Sequence, residues 1–391
     1  MKYFSAQYII TNSGSPLKRA VITSEDDGTI VNIRDTGGNL DEKHSLEFYN
    51  GIIIPGFVNC HCHLELSHLR NVIDQGVGLG SFIEKIRSLR ESNDESIVAS
   101  AYLSDNEMFI GGVNLCADVC NTSITFKLKT NSRIKYLNFL EVFGIDPEKA
   151  GKRMDEINKV AEIAEEMNLP FTIIPHSVYS MSLSLLRLLK KVSVKNKVTS
   201  IHFMETPGEK SYLENHTGPL MTSYKKSGLI PPRLETVKSH TEAIMNEITV
   251  NGNLILVHNT FADRENIRNI RQRKNVFWCL CPNSNIHIEN KIPPLNLLIE
   301  EGCEIVIGTD SLASNNKLNI LEELKTLQKY FTSVSIEDLI KWATINGARA
   351  LGEDDHFGKI ETGKKPGLLL IQNVDLINMK LLPESYVTRL I

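Results

Sequence analysis

The chain has 391 residues, enough for a large single core with a smaller module beside it. Hydrophobic residues make up 41% and charged residues 23%, as in an ordinary soluble globular protein, and the net charge of −4 gives no electrostatic reason to expect nucleic acid or an anionic membrane as partner. No stretch approaches the roughly 18 apolar residues that span a bilayer, residues 1–6 lack the apolar core of a signal peptide, and seven cysteines in so long a chain do not make a disulfide framework; the expected compartment is the cytoplasm.

Residues 1–54 read as short strands broken by turns. Tyr8-Ile9-Ile10 and Ala20-Val21-Ile22-Thr23 are strand-like, and Asp26-Asp27-Gly28-Thr29 carries a hairpin signal. From about Ile53 the pattern changes to strand followed by helix. The apolar run Ile52-Ile53-Ile54-Pro55-Gly56-Phe57-Val58-Asn59 comes first, and strands are expected at 113–118, 134–140, 171–174, 199–201, 254–257, 276–279 and 304–308. Residues 155–167 are helical by period, with Pro170 after their end. Eight apolar strands alternating with helical segments predict an α/β fold, a (β/α)8 TIM barrel. Residues 366–371 return to strand character and are expected to pair with the N-terminal strands. Residues 1–54 with 351–391 would then form a small β-sandwich module, and 55–350 the barrel. Cys60/Cys62 and Cys279/Cys281 are C-x-C pairs, read as reduced, strand-borne small hydrophobes.

The run at 52–59 leads into His61-Cys62-His63, two imidazoles at i and i+2. Residues two apart in a strand point to the same side, so both rings are expected to face one point past the strand's C-terminal end. Two histidines on a surface hairpin would look the same in isolation. Further along, Ile201 is followed by His202, Val257 by His258, Pro175 by His176, and Gly308-Thr309 by Asp310. A lone strand-end histidine is usually a hydrogen-bonded core residue, but in a barrel all of these positions converge on one mouth. Three histidines and a carboxylate suit one divalent cation such as zinc, with a position left for water or substrate. Iron or manganese would suit the same donors.

With these residues in view, the chain resembles the amidohydrolase superfamily, in its one-metal branch of deaminases and chlorohydrolases. The resemblance rests on Pro55-Gly56-Phe57-Val58-Asn59-Cys60-His61-Cys62-His63, His202-Phe203-Met204-Glu205-Thr206, Leu256-Val257-His258-Asn259, Cys281-Pro282-Asn283-Ser284-Asn285 and Gly308-Thr309-Asp310-Ser311, and it spans nearly the whole chain. It implies that His61, His63, His202 and Asp310 bind the metal, that His258 holds the attacking water, and that Glu205 shuttles a proton. Asp310 would accept the proton released as water is activated, and Glu205 would protonate the ring of a heteroaromatic amine. Two-metal relatives carry a carboxylated lysine at the end of the fourth strand. Here that strand ends in His176, which favours one metal and, by the resemblance, a substrate-binding role for His176. Homodimers are common in the family. The C-terminal strand departs from its pattern, reading Gly363-Lys364-Lys365-Pro366-Gly367-Leu368.

His63-Leu64-Glu65-Leu66-Ser67 and residues 212–220 are similar to aminodeoxyfutalosine deaminases. That substrate carries an adenine and a benzoate, and a benzoate calls for a cation, best a bidentate arginine. Arg87 and Arg233 are the candidates, with a solvated surface arginine as the alternative for each. Glu65 could bond a ribose or a ring nitrogen. S-adenosylhomocysteine, methylthioadenosine and adenosine stay open as substrates, and guanine more remotely. Two other classes compete: a hydrolase of a chloride or cyclic amide on the same metal, and a non-catalytic metal-binding scaffold. The intact set with Glu205 and His258 argues against the scaffold.

Overall fold

The computed structural model describes residues 1–40, 45–90, 92–226, 228, 240–248 and 251–391. Eight parallel strands form the barrel among them: β1 (Phe57–Cys62), β2 (Val113–Cys120), β3 (Lys135–Val142), β4 (Phe171–Pro175), β5 (Val198–Phe203), β6 (Asn253–His258), β7 (Val276–Leu280) and β8 (Glu304–Ile307). They pair as two four-stranded parallel sheets, β1–β4 and β5–β8. Each seam is closed by a single bridge, Ser177 to His202 on one side and Cys62 to Asp310 on the other. The His202 N–H donates to the His176 carbonyl at 2.8 Å, and the Thr309 and Asp310 N–H groups donate to the His61 carbonyl at 2.9 and 3.0 Å. Both seams therefore close at the C-terminal end of the barrel, through the backbone of residues that carry site side chains.

The strands are buried on both faces, which is why they read as continuous apolar runs rather than alternating ones. Val58, Cys60, Ala117, Phe139, Ile174, Val257 and Cys279 meet inside the barrel with Ala348 and Leu351 of the segment after β8. Cys62, Cys116, Ile201, Leu256, Trp278 and Ile307 face the helices instead. All seven cysteines are free, and six are fully buried, as expected of small hydrophobes.

The apolar run at 52–59 serves two sheets. Leu46–Pro55 belongs to the terminal module and Phe57–Cys62 to the barrel, with the break at Gly56. A Cβ on Gly56 would lie 2.6 Å from the Asn114 side chain and the Pro366 carbonyl, so only glycine lets the two sheets approach here. The β-sandwich expected from both termini is hydrogen-bonded as one sheet. Its order is Lys380–Arg389, Leu368–Asp375, Leu46–Pro55, Lys2–Ile9, Val21–Ser24 and Ile30–Arg34, with Leu17–Lys18 paired to Lys2–Ile9. Period two sorts its side chains. Ile53, Leu368 and Leu370 join the module's own core with Phe4 and Ile22, while Ile52, Ile54, Leu369 and Ile371 pack into the large core shared with the barrel. The hairpin expected at 26–29 joins Val21–Ser24 to Ile30–Arg34. The helix expected at 155–167 spans Ala150–Glu166, beginning earlier because Pro147 opens a 3-10 turn that runs into it. No helix among the described residues is long and apolar enough to cross a membrane.

Candidate active site

The two imidazoles of His61 and His63 come together with Nε2 atoms 3.2 Å apart. The reason is more than period two. Cys60 faces the barrel interior and Cys62 the helices, and the pairing of β1 with β2 shifts register between Asn59 and Cys62. This irregularity at the strand's end re-aims the chain into the mouth. Gly308 makes room for the ring, since a Cβ there would meet the His61 Cβ at 2.7 Å. Below this turn the fully buried Asp118 accepts the Leu64 N–H at 2.7 Å and pairs with Lys129 Nζ at 2.5 Å, fixing the backbone next to His63.

His202 joins from β5. Its Nδ1 lies 2.8 Å from the His176 carbonyl, so the bond it donates there leaves Nε2 with a free lone pair. The ligand atoms of His61, His63 and His202 lie within 4.8 Å of one another. Asp310 Oδ1 is 3.7 Å from His61 Nε2 and 3.6 Å from His63 Nε2. Its other oxygen accepts from the hydroxyls of Ser284 at 2.6 Å and Ser314 at 2.9 Å, leaving Oδ1 turned to the histidines. Metal–nitrogen bonds of about 2.0–2.1 Å in a tetrahedron place neighbouring ligand atoms about 3.3 Å apart. The spacing of these atoms fits one divalent cation. Burial, then the neighbouring rings, holds His61 well below the usual imidazole range, and burial also lowers His202, so both rings are neutral as ligands must be. For Asp310 burial pushes upward, but the imidazoles of His63 and His258 and the Ser284 hydroxyl outweigh it and hold the carboxyl below its ordinary value.

His258 ends β6 in a left-handed conformation, φ 75°, which swings its ring toward the mouth. Its Nδ1 lies 3.0 Å from the Asn285 side-chain amide, and burial lowers its pKa to about 3. With Asn285 donating to Nδ1, the proton of the neutral ring sits on Nε2, which is 3.5 Å from Glu205 Oε1. Asn285 reaches this place because Pro282 starts the helix Pro282–Glu289 directly behind β7. Glu205 is 4% exposed and accepts from the Tyr179 hydroxyl at 3.2 Å. Burial first, then Glu209 and Asp310, raises its carboxyl well above the usual range. Its backbone is held by Glu209, whose carboxylate accepts the N–H groups of Met204, Glu205 and Thr206 at 3.1, 2.6 and 3.2 Å. Thr206 and Glu209 form a capping box on the helix Pro207–Asn215.

A cavity opens outward from this cluster, with about 900 Å³ of space including the part continuous with solvent. Its polar end holds His63, His202, Glu205, His258 and Asp310; one wall is Leu79, Phe82, Ile83 and Ile86 of the helix Gly78–Leu89 with Leu66. His176 lines it too, stacked on His202 with ring centroids 4.4 Å apart. Burial lowers its pKa to about 3. Arg87 lines the same cavity. Glu65 lies outside that lining: its carboxylate receives Arg90, the Asn121 N–H at 3.3 Å and the Thr122 hydroxyl at 3.0 Å. Arg233 lies outside the described residues. The sequence reading missed Arg90, Asn121, Glu141 and Tyr179, all of which line the cavity.

The amidohydrolase family model matches residues 52–384. The chain belongs to the amidohydrolase family. It is a hydrolase of that family by fold and by sequence. It is 28% identical over 316 residues to a 5-methylthioadenosine/S-adenosylhomocysteine deaminase of Thermococcus kodakarensis, covering 77% of this chain and 69% of that protein. Among solved structures it resembles the Helicobacter pylori aminofutalosine deaminase in complex with methylthio-coformycin. The TM-score is 0.75 at 24% identity, over 95% of this amidohydrolase and 92% of that chain. It also resembles the zinc complex of atrazine chlorohydrolase TrzN from Arthrobacter aurescens. There the TM-score is 0.70 at 18% identity, over 94% and 86%.

Proposed function

We propose that this amidohydrolase is a metal-dependent hydrolytic deaminase of an adenine nucleoside, with 6-aminodeoxyfutalosine as the leading substrate and S-adenosylhomocysteine, methylthioadenosine or adenosine as the others. The observation that carries the reading is the pairing of a buried carboxyl of raised pKa, Glu205, with a neutral His258 at 3.5 Å, beside three converging imidazoles. A nucleoside amine leaves only from a protonated ring, and such a carboxyl holds the needed proton at neutral pH.

His61, His63, His202 and Asp310 would hold one cation, most simply zinc, as in the chlorohydrolase structure that shares the fold. When bound, it supplies the Lewis acidity that makes water a nucleophile at neutral pH. Asp310, kept ionised, takes the first proton of that water. Glu205 protonates the ring nitrogen next to the carbon under attack. His258 donates its Nε2–H to the oxygen being added. The proton on Asp310 then goes to the departing amine, and the remaining hydroxyl proton restores Glu205. Ammonia and a ring carbonyl are left.

The outer cavity supports an anionic substituent. Arg87 pairs with no carboxylate among the described residues. It also lines an adjoining cavity with Lys149, which pairs with Asp146 at 3.2 Å, and Arg153, which pairs with Glu156 at 2.7 Å, so Arg87 is the cation left for a ligand. A benzoate or amino-acid carboxylate at the nucleoside's far end would find a cation there. The relatives' names, deaminases of methylthioadenosine, S-adenosylhomocysteine and aminofutalosine, point to the same class.

Ammonia release from the zinc-loaded protein tests this on aminodeoxyfutalosine, S-adenosylhomocysteine, methylthioadenosine, adenosine, guanine and cytosine. The expected result is turnover of the adenine nucleosides, best with the first. Release from guanine or cytosine alone would keep the chemistry and remove the nucleoside. No ammonia with metal confirmed bound would replace the reading by hydrolysis of a chloride or cyclic amide.

A further inference from the structure

Glu141, at the end of β3, is a carboxylate with half of its hydrogen-bonding capacity unused. It is 5% exposed, yet it lines the cavity that holds the imidazole cluster. Oε2 accepts the Asn121 side-chain amide at 3.2 Å, and that amide also bonds the Glu141 carbonyl at 3.0 Å. Arg90 holds Asn121 from behind at 2.8 Å while it pairs with Glu65. The carboxylate is thus fixed in place by a network of its own. Oε1 has no hydrogen-bond partner among the described residues. Its neighbour His202 Nδ1 lies at 3.8 Å, beyond hydrogen-bond reach, and already donates to the His176 carbonyl.

A buried acceptor left unmatched is destabilising, more so when charged. Oε1 is shielded from solvent, but the residue borders the cavity, so a ligand donor is the partner still to be supplied. Resting on the nucleoside reading above, we infer that Glu141 Oε1 is the acceptor for a ribose hydroxyl of the substrate. The chemistry narrows the donor. An adenine nucleoside has few hydrogen-bond donors. The ring amine is committed to the reacting centre at the Nε2 edge of His202. Glu141 stands at the opposite, Nδ1 edge of that ring, so the donor that reaches it lies away from the amine, and the 2′- and 3′-hydroxyls are the donors the substrates named above share. Glu65, the carboxylate that sequence alone suggested for a ribose, has its oxygens occupied by protein donors. Glu141, His176 and His202 also lie close enough to suggest a second cation. The bond from His202 Nδ1 to a carbonyl opposes it, because that nitrogen would have to give up its proton and its partner.

The test is ammonia release from adenosine, 2′-deoxyadenosine and 3′-deoxyadenosine by zinc-loaded wild type, Glu141→Ala and Glu141→Gln, with zinc content and melting temperature measured on each. The wild type should discriminate against at least one deoxy analogue by about 10- to 100-fold in kcat/KM, the range for a hydrogen bond to a charged group. Glu141→Ala should lose a similar factor on adenosine, mainly through KM, and nothing further on that analogue. Zinc should stay at one equivalent. An equal loss on all three substrates would make Glu141 merely structural and overturn the inference; so would a fall from two zinc equivalents to one. If Glu141→Ala does not fold, the near-isosteric Glu141→Gln decides by the same ratio: a loss confined to adenosine supports the assignment and a uniform loss overturns it. A wild type inactive on every nucleoside would remove the nucleoside reading and this inference together. An active wild type with an unchanged ratio in the variants would remove Glu141 alone.

Discussion

The base of the cavity and its wall are built on different principles. At the base, His61, His202 and Asp310 sit on residues whose backbone closes the barrel seams, and hydrogen bonds orient the His202 ring and the Asp310 carboxylate, while His61 Nδ1 has no partner among the described residues. The wall is the face of one helix, Gly78–Leu89, with Arg87 in its last turn and Arg90 just past its end, and Arg87 is left without a carboxylate among the described residues. The base is held through the barrel backbone and the wall is sparse. On the proposed function, chemistry that tolerates little displacement is anchored in the barrel, while contacts that would select a substituent stand on a helix that can change without disturbing it.

The largest effect should come from breaking the base. On the proposed roles, Asp310→Asn removes a ligand and a proton acceptor together. It should lower turnover by about 10³-fold or more, with weaker metal retention read by chelator competition. Full activity with full metal would contradict that role. Lys129→Met leaves Asp118 buried without its cation beneath His63, and denaturant unfolding should show a loss of about 3 kcal/mol or more. Glu205→Gln should keep the metal and cut kcat by about 10²-fold or more. It also changes the pH profile. In the proposed mechanism Glu205 acts protonated and Asp310 ionised, so wild-type kcat/KM should fall as pH rises through the elevated pKa of Glu205. It should climb as pH rises through the depressed pKa of Asp310. The variant should lose the alkaline limb and keep the acid one.

Changes in the wall should be smaller and selective. Arg87→Ala should raise KM about tenfold for a substrate with a carboxylate and leave adenosine unaffected; an equal rise for both would remove the anion-binding role. Glu323 acts on stability rather than on turnover, and it frames the base by accepting the Asn283 N–H and the Asn315 amide. Burial raises its pKa from 4.5 to about 8. The folded state therefore keeps a proton that the unfolded chain releases, so this group makes stability fall as pH rises from about 4.5 to 8 and leaves it level above. Glu323→Gln cannot ionise, and its melting temperature should lose that decline.

The same contrast governs what the sequence discloses. Parallel strands buried on both faces appear as apolar runs, and a polar residue ending such a run stands out, which is how His202, His258 and Asp310 were recognised. Glu141 follows Leu140 with the same signal, and Asn121 follows Cys120; both were legible by that rule and were overlooked. The capping box Thr206-Pro207-Gly208-Glu209, which holds Glu205, is likewise a local signal. What no local pattern reveals is pairing at a distance. Arg90 with Glu65, and Lys129 with Asp118, depend on how helices lie against the barrel. The run at 52–59 contains the boundary expected at 54/55, but an apolar run does not itself show which sheet each residue joins.

The most direct test of the central claim is the affinity of the zinc-loaded protein for a coformycin-type nucleoside, whose ring carries a tetrahedral hydroxyl-bearing carbon, set against the matching adenine nucleoside. On the proposed roles, Glu205 and His258 would favour the altered ring over the flat one. The tetrahedral compound should bind at least 10²-fold more tightly, with most of that advantage lost in Glu205→Gln. Equal affinities for the two in the wild type would contradict the account.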